Sequence, residues 1–568
     1  MSGRKKIIEF KNVTFKYTRC QEPTLKNVSF DIYEGEKVLI AGSSGSGKST
    51  ISYCLNGLIP HMYEGEMSGE ILIDGERPCE MKLHELSGKI STILQDQDAQ
   101  FIGLTVKEDV AFVMENRNIP LKDMNLSVAE ALEKVDMEAF QNSNPHEISG
   151  GQKQRVSLAG VLASKSGILL FDEPLANLDP ASGENAMKLL SEIHKKYNKT
   201  VVIIEHRIEE VLSEKFDRVL VVSKGEIIAN GTPQEILLSG VLVSAGLREP
   251  HYIRLMKLVG CNLNEYHNLD SPSVVKEASA QEKIHNFLAR RVIKRESDEE
   301  REYALEVQNL TFSYGERLIF HDLNFSIKKG EIVTLLGANG VGKSTLSSVI
   351  TGFLRHSRGE IKILGEDISN ASIKKRGELI GYVMQNPNLM ITKNSVFDEV
   401  AYGLKNKKVA KQEIVERVHR LLKICGLYGY RNWPISALSF GQKKRVTIAS
   451  ILVLNPTVLI LDEPTAGQDY KHYLEFMGFI SKISKMGIGI LFITHDMHLA
   501  LEYGDKSIVL YDTSIIAEST PTRVLMNCDI VKKASLREHS LSNISKLLNI
   551  SSLELTERYL AEEGRQYE

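Results

Sequence analysis

Two glycine-rich segments of this sequence have the residue types that bind phosphate. GSSGSGKST (42–50) and GANGVGKST (337–345) fit the P-loop pattern GxxxxGK[ST], and each follows an apolar run that predicts a strand. Glycines let successive backbone N–H groups face phosphate oxygens, and the helix start adds partial positive charge. We therefore predict two nucleotide-phosphate sites, formed by Gly42, Ser43, Ser44, Gly45, Ser46, Gly47, Lys48, Ser49 and Thr50, and by Gly337, Ala338, Asn339, Gly340, Val341, Gly342, Lys343, Ser344 and Thr345.

The lysine and the first serine that end each motif have distinct predicted roles. The lysines, Lys48 and Lys343, are predicted to reach the β- and γ-phosphates. The serines, Ser49 and Ser344, are predicted to ligate Mg²⁺.

Paired carboxylates follow apolar runs further along both halves of the chain, in ILLFDEP (168–174) and VLILDEP (458–464). The end of a strand is a rigid place from which an aspartate can hold Mg²⁺ while the next glutamate polarises the attacking water. This pattern predicts a metal ligand and a catalytic carboxylate in each half, namely Asp172 with Glu173 and Asp462 with Glu463.

Histidine, glutamine and tyrosine residues recur at matching places in the two halves. His206 and His495 each follow a third apolar strand, where a histidine can contact the γ-phosphate as charge develops. A structural histidine is the alternative, and the recurrence favours catalysis. Gln95 and Gln385 are predicted to join the Mg²⁺ and water network. Tyr17 and Tyr314 are predicted to stack on adenine. A plain core aromatic is the alternative for each tyrosine.

The chain contains one long unit written twice, because residues 10–50 are echoed by 307–345. Each copy interleaves apolar strands with helical segments, which predicts an α/β fold with a mostly parallel, buried sheet. The predicted domains are 1–245 and 304–530, with an accessory segment and linker at 246–303 and a helical tail at 531–568.

A third shared motif is ISGGQKQRV (148–156) in the first half and LSFGQKKRV (438–446) in the second. Both fit the helix-capping pattern S-x-x-Q, with the serine as N-cap. Gly150 and Phe440 then occupy the first helical position, where a glycine is not obligatory. The next residue, Gly151 or Gly441, lacks a Cβ and lets the backbone approach phosphate closely.

Composition excludes several broad functions. The formal net charge of −3 gives no basic field for nucleic acid. No apolar run reaches the roughly 18 residues that a membrane-spanning helix needs. The N-terminus lacks the apolar block of a secretory signal, so we expect a cytoplasmic protein.

The ordered set of motifs resembles the ATP-binding cassette (ABC) ATPases, over nearly the whole chain. The resemblance implies two tandem P-loop domains, each with a mostly parallel sheet, an antiparallel β part and a helical subdomain. It also implies that the protein binds ATP and Mg²⁺ and hydrolyses the ATP. In this family each P-loop faces the signature motif of the other cassette, which here corresponds to 148–156 or 438–446. The signature residues implied to complete the two sites are Ser439, Gly441 and Gln442 for the first P-loop, and Ser149, Gly151 and Gln152 for the second.

Finer features resemble the fused ATPase of energy-coupling-factor importers, notably 56–75, 94–113, 246–255 and 384–403. That resemblance implies uptake of a vitamin or transition-metal ion, with a transmembrane coupling subunit and a separate substrate-binding membrane protein as partners. It also implies a peripheral position on the cytoplasmic face of the cell membrane, without nucleic acid. A fused ATPase of another importer, for example of sugar, and a ribosome-associated translation factor are the alternatives. Both halves keep their glutamates and have Gly-Gln signatures, which favours the first interpretation.

Overall fold

The computed structural model describes residues 4–18, 20–94, 100–176, 178–289, 301–465 and 468–567, without the side chains of 564–567. The chain divides into two compact units, Met1–Phe287 and Leu288–Glu568. Among the described residues, no helix has both the length and the apolar character needed to cross a membrane.

The larger sheet of the first unit is built from buried apolar strands. Its five neighbouring parallel strands are followed by one antiparallel strand. In order across the sheet, the six strands are Ile90–Ile93, Ile168–Asp172, Thr200–Glu205, Lys37–Gly42, Arg218–Ser223 and Glu226–Gly231. Every residue of Lys37–Gly42 is buried, as expected of a central parallel strand.

A smaller antiparallel sheet completes the β structure described for the first unit. It has the order Leu25–Tyr33, Lys6–Tyr17 and Gly65–Ile73. Phe10 and Phe30 stack across two of its strands with ring centroids 4.5 Å apart. Their apolar side chains join the core that lies under the larger sheet.

The helices of the first unit include a subdomain in which Val106–Glu115, Leu121–Glu133 and Gly150–Ala163 pack together. The other α-helices are Lys48–Leu55, Leu58–His61, Leu83–Lys89, Pro180–Tyr197, Ile208–Val211, Pro233–Ser239, Val241–Ser244, His251–Leu258 and Ala278–Ala289. Short 3₁₀ turns lie at Pro78–Glu80, Glu138–Phe140, Leu263–Glu265 and Pro272–Lys276.

The second unit repeats this β architecture. Its larger sheet has the order Ile380–Val383, Val458–Asp462, Gly489–Ile493, Ile332–Leu336, Lys506–Tyr511 and Ser514–Ser519, and only the last strand is antiparallel. Its smaller antiparallel sheet has the order Arg317–Lys328, Tyr303–Tyr314, Arg358–Ile363 and Glu366–Asp367.

The helices of the second unit include an equivalent subdomain, formed by Val396–Asn406, Lys411–Ile424 and Phe440–Leu452. The remaining α-helices are Lys343–Thr351, Ile373–Leu379, Tyr470–Lys485, Met497–Tyr503, Pro521–Leu525, Cys528–Lys533, Ser540–Leu548 and Ser552–Tyr567. Its 3₁₀ turns are Pro387–Leu389, Tyr428–Tyr430 and Ile435–Ala437. The predicted α/β fold, with parallel and antiparallel sheets and a helical subdomain in each unit, is confirmed.

Strand order explains how distant motifs come together. In the first unit, four adjacent parallel strands end at Ile93, Asp172, Glu205 and Gly42. Because parallel strands present their carboxyl ends at one edge of the sheet, the segments that follow them share that edge. The edge therefore gathers the P-loop, the paired carboxylates and His206, which we call the switch histidine of this unit.

The duplication extends into the accessory segments. Leu-Arg-Glu at 247–249 recurs at 536–538, and each copy precedes a helix. In both copies the glutamate pairs with a lysine eight residues later, at 2.6 Å for Glu249–Lys257 and for Glu538–Lys546. The accessory segment and the helical tail therefore share this local motif. The predicted domain boundaries stay predictions, and residues 290–300 of the predicted linker lie outside the described residues.

Candidate functional site

The first P-loop turns sharply from strand Lys37–Gly42 into helix Lys48–Leu55. Gly47, at the helix N-cap, has φ of 110°, a conformation that side chains other than glycine rarely adopt. A Cβ at Gly47 would also lie 2.9 Å from Leu25 Cδ2. Lys48 is only 4% exposed, and its Nζ donates to the Ser43 carbonyl at 2.9 Å. The loop thus curls around its own lysine.

The second P-loop has the same form. Gly342 has φ of 106°, and Lys343 Nζ donates to the carbonyls of Gly337 and Ala338 at 2.8 Å each. Two different sequences, GSSGSGKST and GANGVGKST, therefore fold into equivalent loops.

Other groups beside the first P-loop fit a phosphate or nucleotide. Ser46 Oγ is buried and has no hydrogen-bond partner among the described residues, so it is available to a phosphate oxygen. The Tyr17 hydroxyl lies 3.1 Å from Thr50 Oγ1, which places this predicted adenine contact beside the loop. Tyr314 is half exposed in the second unit and packs edge-on against Phe312. The stacking role of both tyrosines stays a prediction.

The first carboxylate pair ends strand Ile168–Asp172. Asp172 is buried, and burial together with the neighbouring Glu173 charge raises its pKa to about 6. Glu173 has φ of 48°, in the left-handed region that is costly for a residue with a Cβ. Its backbone N–H donates to Ile204 O at 2.9 Å, which fixes this turn against the next strand.

Glu173 also lies close to His206, the switch histidine of the first unit. His206 Nδ1 lies 3.6 Å from Glu173 Oε1. Burial raises the pKa of Glu173, but His206, Lys48 and Arg207 together outweigh that effect and lower the pKa below its ordinary value. Glu173 is therefore ionised at neutral pH, as a base that polarises water must be.

The second carboxylate pair has a tighter arrangement. His495 Nδ1 and Glu463 Oε1 are 2.7 Å apart, and Glu463 has φ of 44°. The pKa of Asp462 is raised, because the effect of burial outweighs the lowering effect of hydrogen bonds from Ser344 and Tyr382. The structure thus brings Ser344 and Asp462, two predicted Mg²⁺ ligands, into contact.

The two signature motifs begin helices as predicted. In the first, Ser149 N–H donates to Gln152 Oε1 at 2.9 Å, and Gln152 N–H donates to Ser149 Oγ at 3.3 Å. Ser439 and Gln442 make the same pair of bonds at the same distances. The capping-box prediction is confirmed. Gly150 and Phe440 are each the first residue of their helix.

Comparison with known proteins identifies the family. Residues 25–176 and 320–466 match the family model described as ABC transporter. The chain belongs to the ABC transporter family. Residues 239–312 match a further model, described as ATP-binding cassette cobalt transporter.

Relatives of this ABC protein match over nearly its whole length. A protein of Bacillus cereus ATCC 14579, provisionally named an ABC transporter ATP-binding protein, is 50% identical over 98% of this chain and 97% of its own. A protein of Streptococcus pneumoniae with the same provisional name is 47% identical over 97% of this chain and 98% of its own. A solved structure, of cbiO1 from Clostridium perfringens, is described as part of the ABC transporter complex cbiONQ. Its sequence is 38% identical, the match covers 44% of this chain and the whole of the cbiO1 chain, and the TM-score is 0.39.

The chain is therefore the ATP-binding subunit of an ABC transporter and contains two ABC ATPase domains. One of its two predicted glutamines, Gln95, lies outside the described residues. The other, Gln385, is exposed just after strand Ile380–Val383. The Tyr382 hydroxyl, which the sequence did not single out, donates to Asp462 Oδ2 at 3.1 Å.

Each ABC domain also has a buried polar side chain that joins its signature helix to the turn of the paired carboxylates. Gln154 Nε2 donates to Pro174 O at 3.0 Å in the first domain. Lys444 occupies the same place in the second, and its Nζ donates to Glu463 O at 3.2 Å and to Pro464 O at 2.6 Å. Sequence reasoning missed both residues. A polar residue at a buried helical position was the available signal.

Proposed function

We propose that this subunit hydrolyses ATP at both cassettes to drive an energy-coupling-factor importer of a transition-metal ion. The observation that carries the proposal is the match of residues 239–312 to a family described as a cobalt transporter, within a chain whose two catalytic pairs are both intact. A vitamin is the other cargo that the resemblance to these importers implies.

The residues of both P-loops fit ATP with Mg²⁺. In the first cassette, Ser46 Oγ is free for a phosphate oxygen, and Lys48 supplies a buried positive charge. Asp172 with Ser49, and Asp462 with Ser344, would hold Mg²⁺, with Gln95 and Gln385 as further ligands. A bound Mg²⁺ would neutralise charge on the β- and γ-phosphates. The raised pKa of Asp172 supports this assignment, because a nearby cation would relieve the cost of its buried negative charge.

Hydrolysis rests on the glutamate and histidine of each pair. Ionised Glu173 orients and polarises the attacking water, and Glu463 does the same in the second cassette. His206 and His495 stabilise charge that develops on the γ-phosphate. The left-handed backbone of both glutamates supports a catalytic role, because such strain persists where function requires it.

The signature motifs are proposed to complete the two sites from the other cassette. Ser439, Gly441 and Gln442 would join the P-loop of Lys48, and Ser149, Gly151 and Gln152 would join that of Lys343. A Cβ at Gly441 would meet no atom within 4 Å, so its backbone has open space in which to receive a phosphate. Because Gln152 and Gln442 cap their own helices, we assign these glutamines to shaping the motif.

Exposed apolar side chains support a membrane partner. Leu104 is 82% exposed and Ile102 is 64% exposed, shortly after the predicted glutamine loop of the first cassette. Leu389 is 70% exposed, four residues after the predicted glutamine of the second cassette. Large apolar side chains exposed in the corresponding segments of both cassettes support a binding surface. We assign it to a transmembrane coupling subunit, with a separate membrane protein that binds the substrate, so that this chain is peripheral to the cytoplasmic face of the membrane.

The test is to purify the full chain with its native membrane partners and to identify the cargo. We expect integral membrane proteins to co-purify and the reconstituted complex to accumulate a radioactive cobalt or nickel ion in an ATP-dependent manner. Leu104→Glu combined with Leu389→Glu should abolish co-purification while keeping ATPase activity, whereas Val243→Glu, at an exposed accessory position, should change neither. Uptake of a vitamin instead of a metal would correct the cargo, and co-sedimentation with ribosomes without any membrane protein would contradict the importer.

A further inference from the structure

A fully buried carboxylate lies beside the switch histidine of the first cassette. Glu205 ends strand Thr200–Glu205, immediately before His206, and is 0% exposed. The second cassette has Thr494 at this place, immediately before His495. The difference changes both the charge and the hydrogen-bonding capacity next to a catalytic pair.

The contacts of Glu205 surround His206. Its Oε1 accepts the backbone N–H of His206 at 2.9 Å and that of Arg207 at 3.3 Å. The same oxygen lies 3.2 Å from His206 Nδ1, which is nearer than the 3.6 Å between that nitrogen and Glu173. Nδ1 itself makes no hydrogen bond to the described residues, so Glu205 is the nearer of two carboxylates that it can reach by a small rotation of the ring. The second oxygen, Oε2, is buried without a hydrogen-bond partner among the described residues.

Thr494 makes only some of the contacts that Glu205 makes. Its Oγ1 accepts the backbone N–H of Asp496 at 2.9 Å, so it caps the same turn without a charge. It also approaches Glu463 Oε2 at 3.4 Å. The ring of His495 then bonds directly to Glu463 at 2.7 Å.

Turn capping alone does not explain a buried carboxylate. Desolvating a charged group costs far more than desolvating a hydroxyl, and a threonine caps the equivalent turn. Arg207 partly compensates the charge, with its Nε 3.7 Å from Glu205 Oε1, and it stands where the second cassette has Asp496. Around the histidine, the first cassette therefore has a carboxylate and a guanidinium, Glu205 and Arg207, where the second has Thr494 and Asp496.

We propose that Glu205 is a positioning residue for ATP hydrolysis at the first cassette. When nucleotide binds, its carboxylate accepts Nδ1–H of His206, which fixes the ring tautomer and turns the other ring nitrogen towards the nucleotide. This frees Glu173 to hold the attacking water. Carboxylates orient metal-bound and catalytic histidines in the same way. In the second cassette His495 bonds to Glu463, so the two sites orient the histidine by different means.

The proposal rests on the proposed ATP hydrolysis at both cassettes, and it does not depend on which cargo is carried. The test therefore uses the full chain with Glu463→Gln, in which turnover at the first cassette is measured alone. Glu205→Thr supplies the cap that Thr494 provides but no carboxylate. Glu205→Gln keeps an oxygen that can accept Nδ1–H.

We expect Glu205→Thr to lower kcat roughly tenfold with an unchanged KM for ATP, as is typical when the partner of an oriented histidine is lost. Glu205→Gln should retain most of kcat. Melting temperatures of all variants show whether a loss of rate reflects unfolding.

Full activity of Glu205→Thr would show that Glu205 only caps the turn, and equal losses in Glu205→Thr and Glu205→Gln would exclude an acceptor role. Either result would overturn the inference. Complete inactivity of Glu463→Gln alone would instead refute independent hydrolysis at the first cassette, and Glu205→Thr in the otherwise unchanged chain would then decide the inference. If Glu205→Thr unfolds, a tenfold loss in a stable Glu205→Gln chain would also overturn it.

Discussion

The two cassettes hold equivalent turns at their paired carboxylates with different side chains. In the first, the signature helix reaches the turn through neutral Gln154, and the histidine lies between two carboxylates. In the second, cationic Lys444 makes the link, and the carboxylate that His495 bonds to among the described residues is Glu463. The backbone geometry is thus shared while the local charges differ, which indicates that the strained turn is the common requirement.

The aromatic residue of the second signature belongs to this difference. Lys444 Nζ lies 5.5 Å from the centroid of the Phe440 ring, one helical turn away. Phe440 is itself 45% exposed, whereas Lys444 is 1% exposed and burial lowers its pKa to about 8. The ring therefore covers a lysine that the first cassette does not have.

The largest expected effect comes from replacing Glu173 and Glu463, the two glutamates proposed to be catalytic. Glu173→Gln combined with Glu463→Gln should lower ATPase activity roughly 10²- to 10⁴-fold, because general-base catalysis contributes about that much. Each single change should strongly lower the rate, and unequal residual rates would measure the difference between the cassettes. Phosphate release by the purified chain is the measurement, with Glu192→Gln at an exposed position as control. Full activity after either single change would contradict hydrolysis at both sites.

Lys444→Met should have the next largest effect. It removes the charged donor to the carbonyls of Glu463 and Pro464, and losing such buried hydrogen bonds costs about 1–3 kcal/mol. We expect a lower melting temperature and slower turnover at the second cassette, measured in a Glu173→Gln chain. Lys444→Gln should retain both properties, since Gln154 makes the same link in the first cassette. An unchanged melting temperature and turnover in Lys444→Met would show that the link is unimportant.

Asp172→Asn should stabilise the nucleotide-free chain in a pH-dependent way. A carboxyl whose pKa is raised from 3.8 to about 6 stabilises the fold fully below pH 4, and this stability is lost as pH rises through 6. At pH 7.5 the wild type therefore carries a cost of up to about 3 kcal/mol, which asparagine removes. The melting-temperature gain should be larger at pH 7.5 than at pH 4.5. The exposed Asp123→Asn serves as control, and a gain independent of pH would contradict the buried charge.

Phe440→Gly should have the smallest effect. Gly150 occupies the equivalent helical position, and glycine in a helix costs at most about 1 kcal/mol. We expect a change in turnover of less than about fivefold, measured in a Glu463→Gln chain because this signature is proposed to complete the first site. Phe440→Leu should change less. Complete loss of activity would show that the ring itself shapes the site.

Sequence predicted the parts of the site that local motifs encode. The P-loops, the paired carboxylates and the serine-capped helices each depend on residues close together in the chain, and their backbone requirements leave a direct pattern. Both glutamates were predicted to be catalytic, although their left-handed backbone was not foreseen. That conformation depends on pairing with the neighbouring strand, as in the bond from Glu463 N–H to Ile493 O.

The features that sequence missed depend on more than a local motif. Tyr382 reaches Asp462 across 80 positions, and only the order of the parallel strands makes them neighbours. Glu205 gains its meaning from complete burial, which an acidic residue at a strand end does not reveal. The repeated Leu-Arg-Glu was missed because the helices that follow it have little sequence in common.

That repeated Leu-Arg-Glu segment has a consequence for the extent of the repeat. Both accessory elements keep the tripeptide and its lysine partner, so the repeated unit reaches beyond the cassette into the helix that follows the tripeptide. A half-length version of either unit therefore needs its own accessory helix to keep that ion pair.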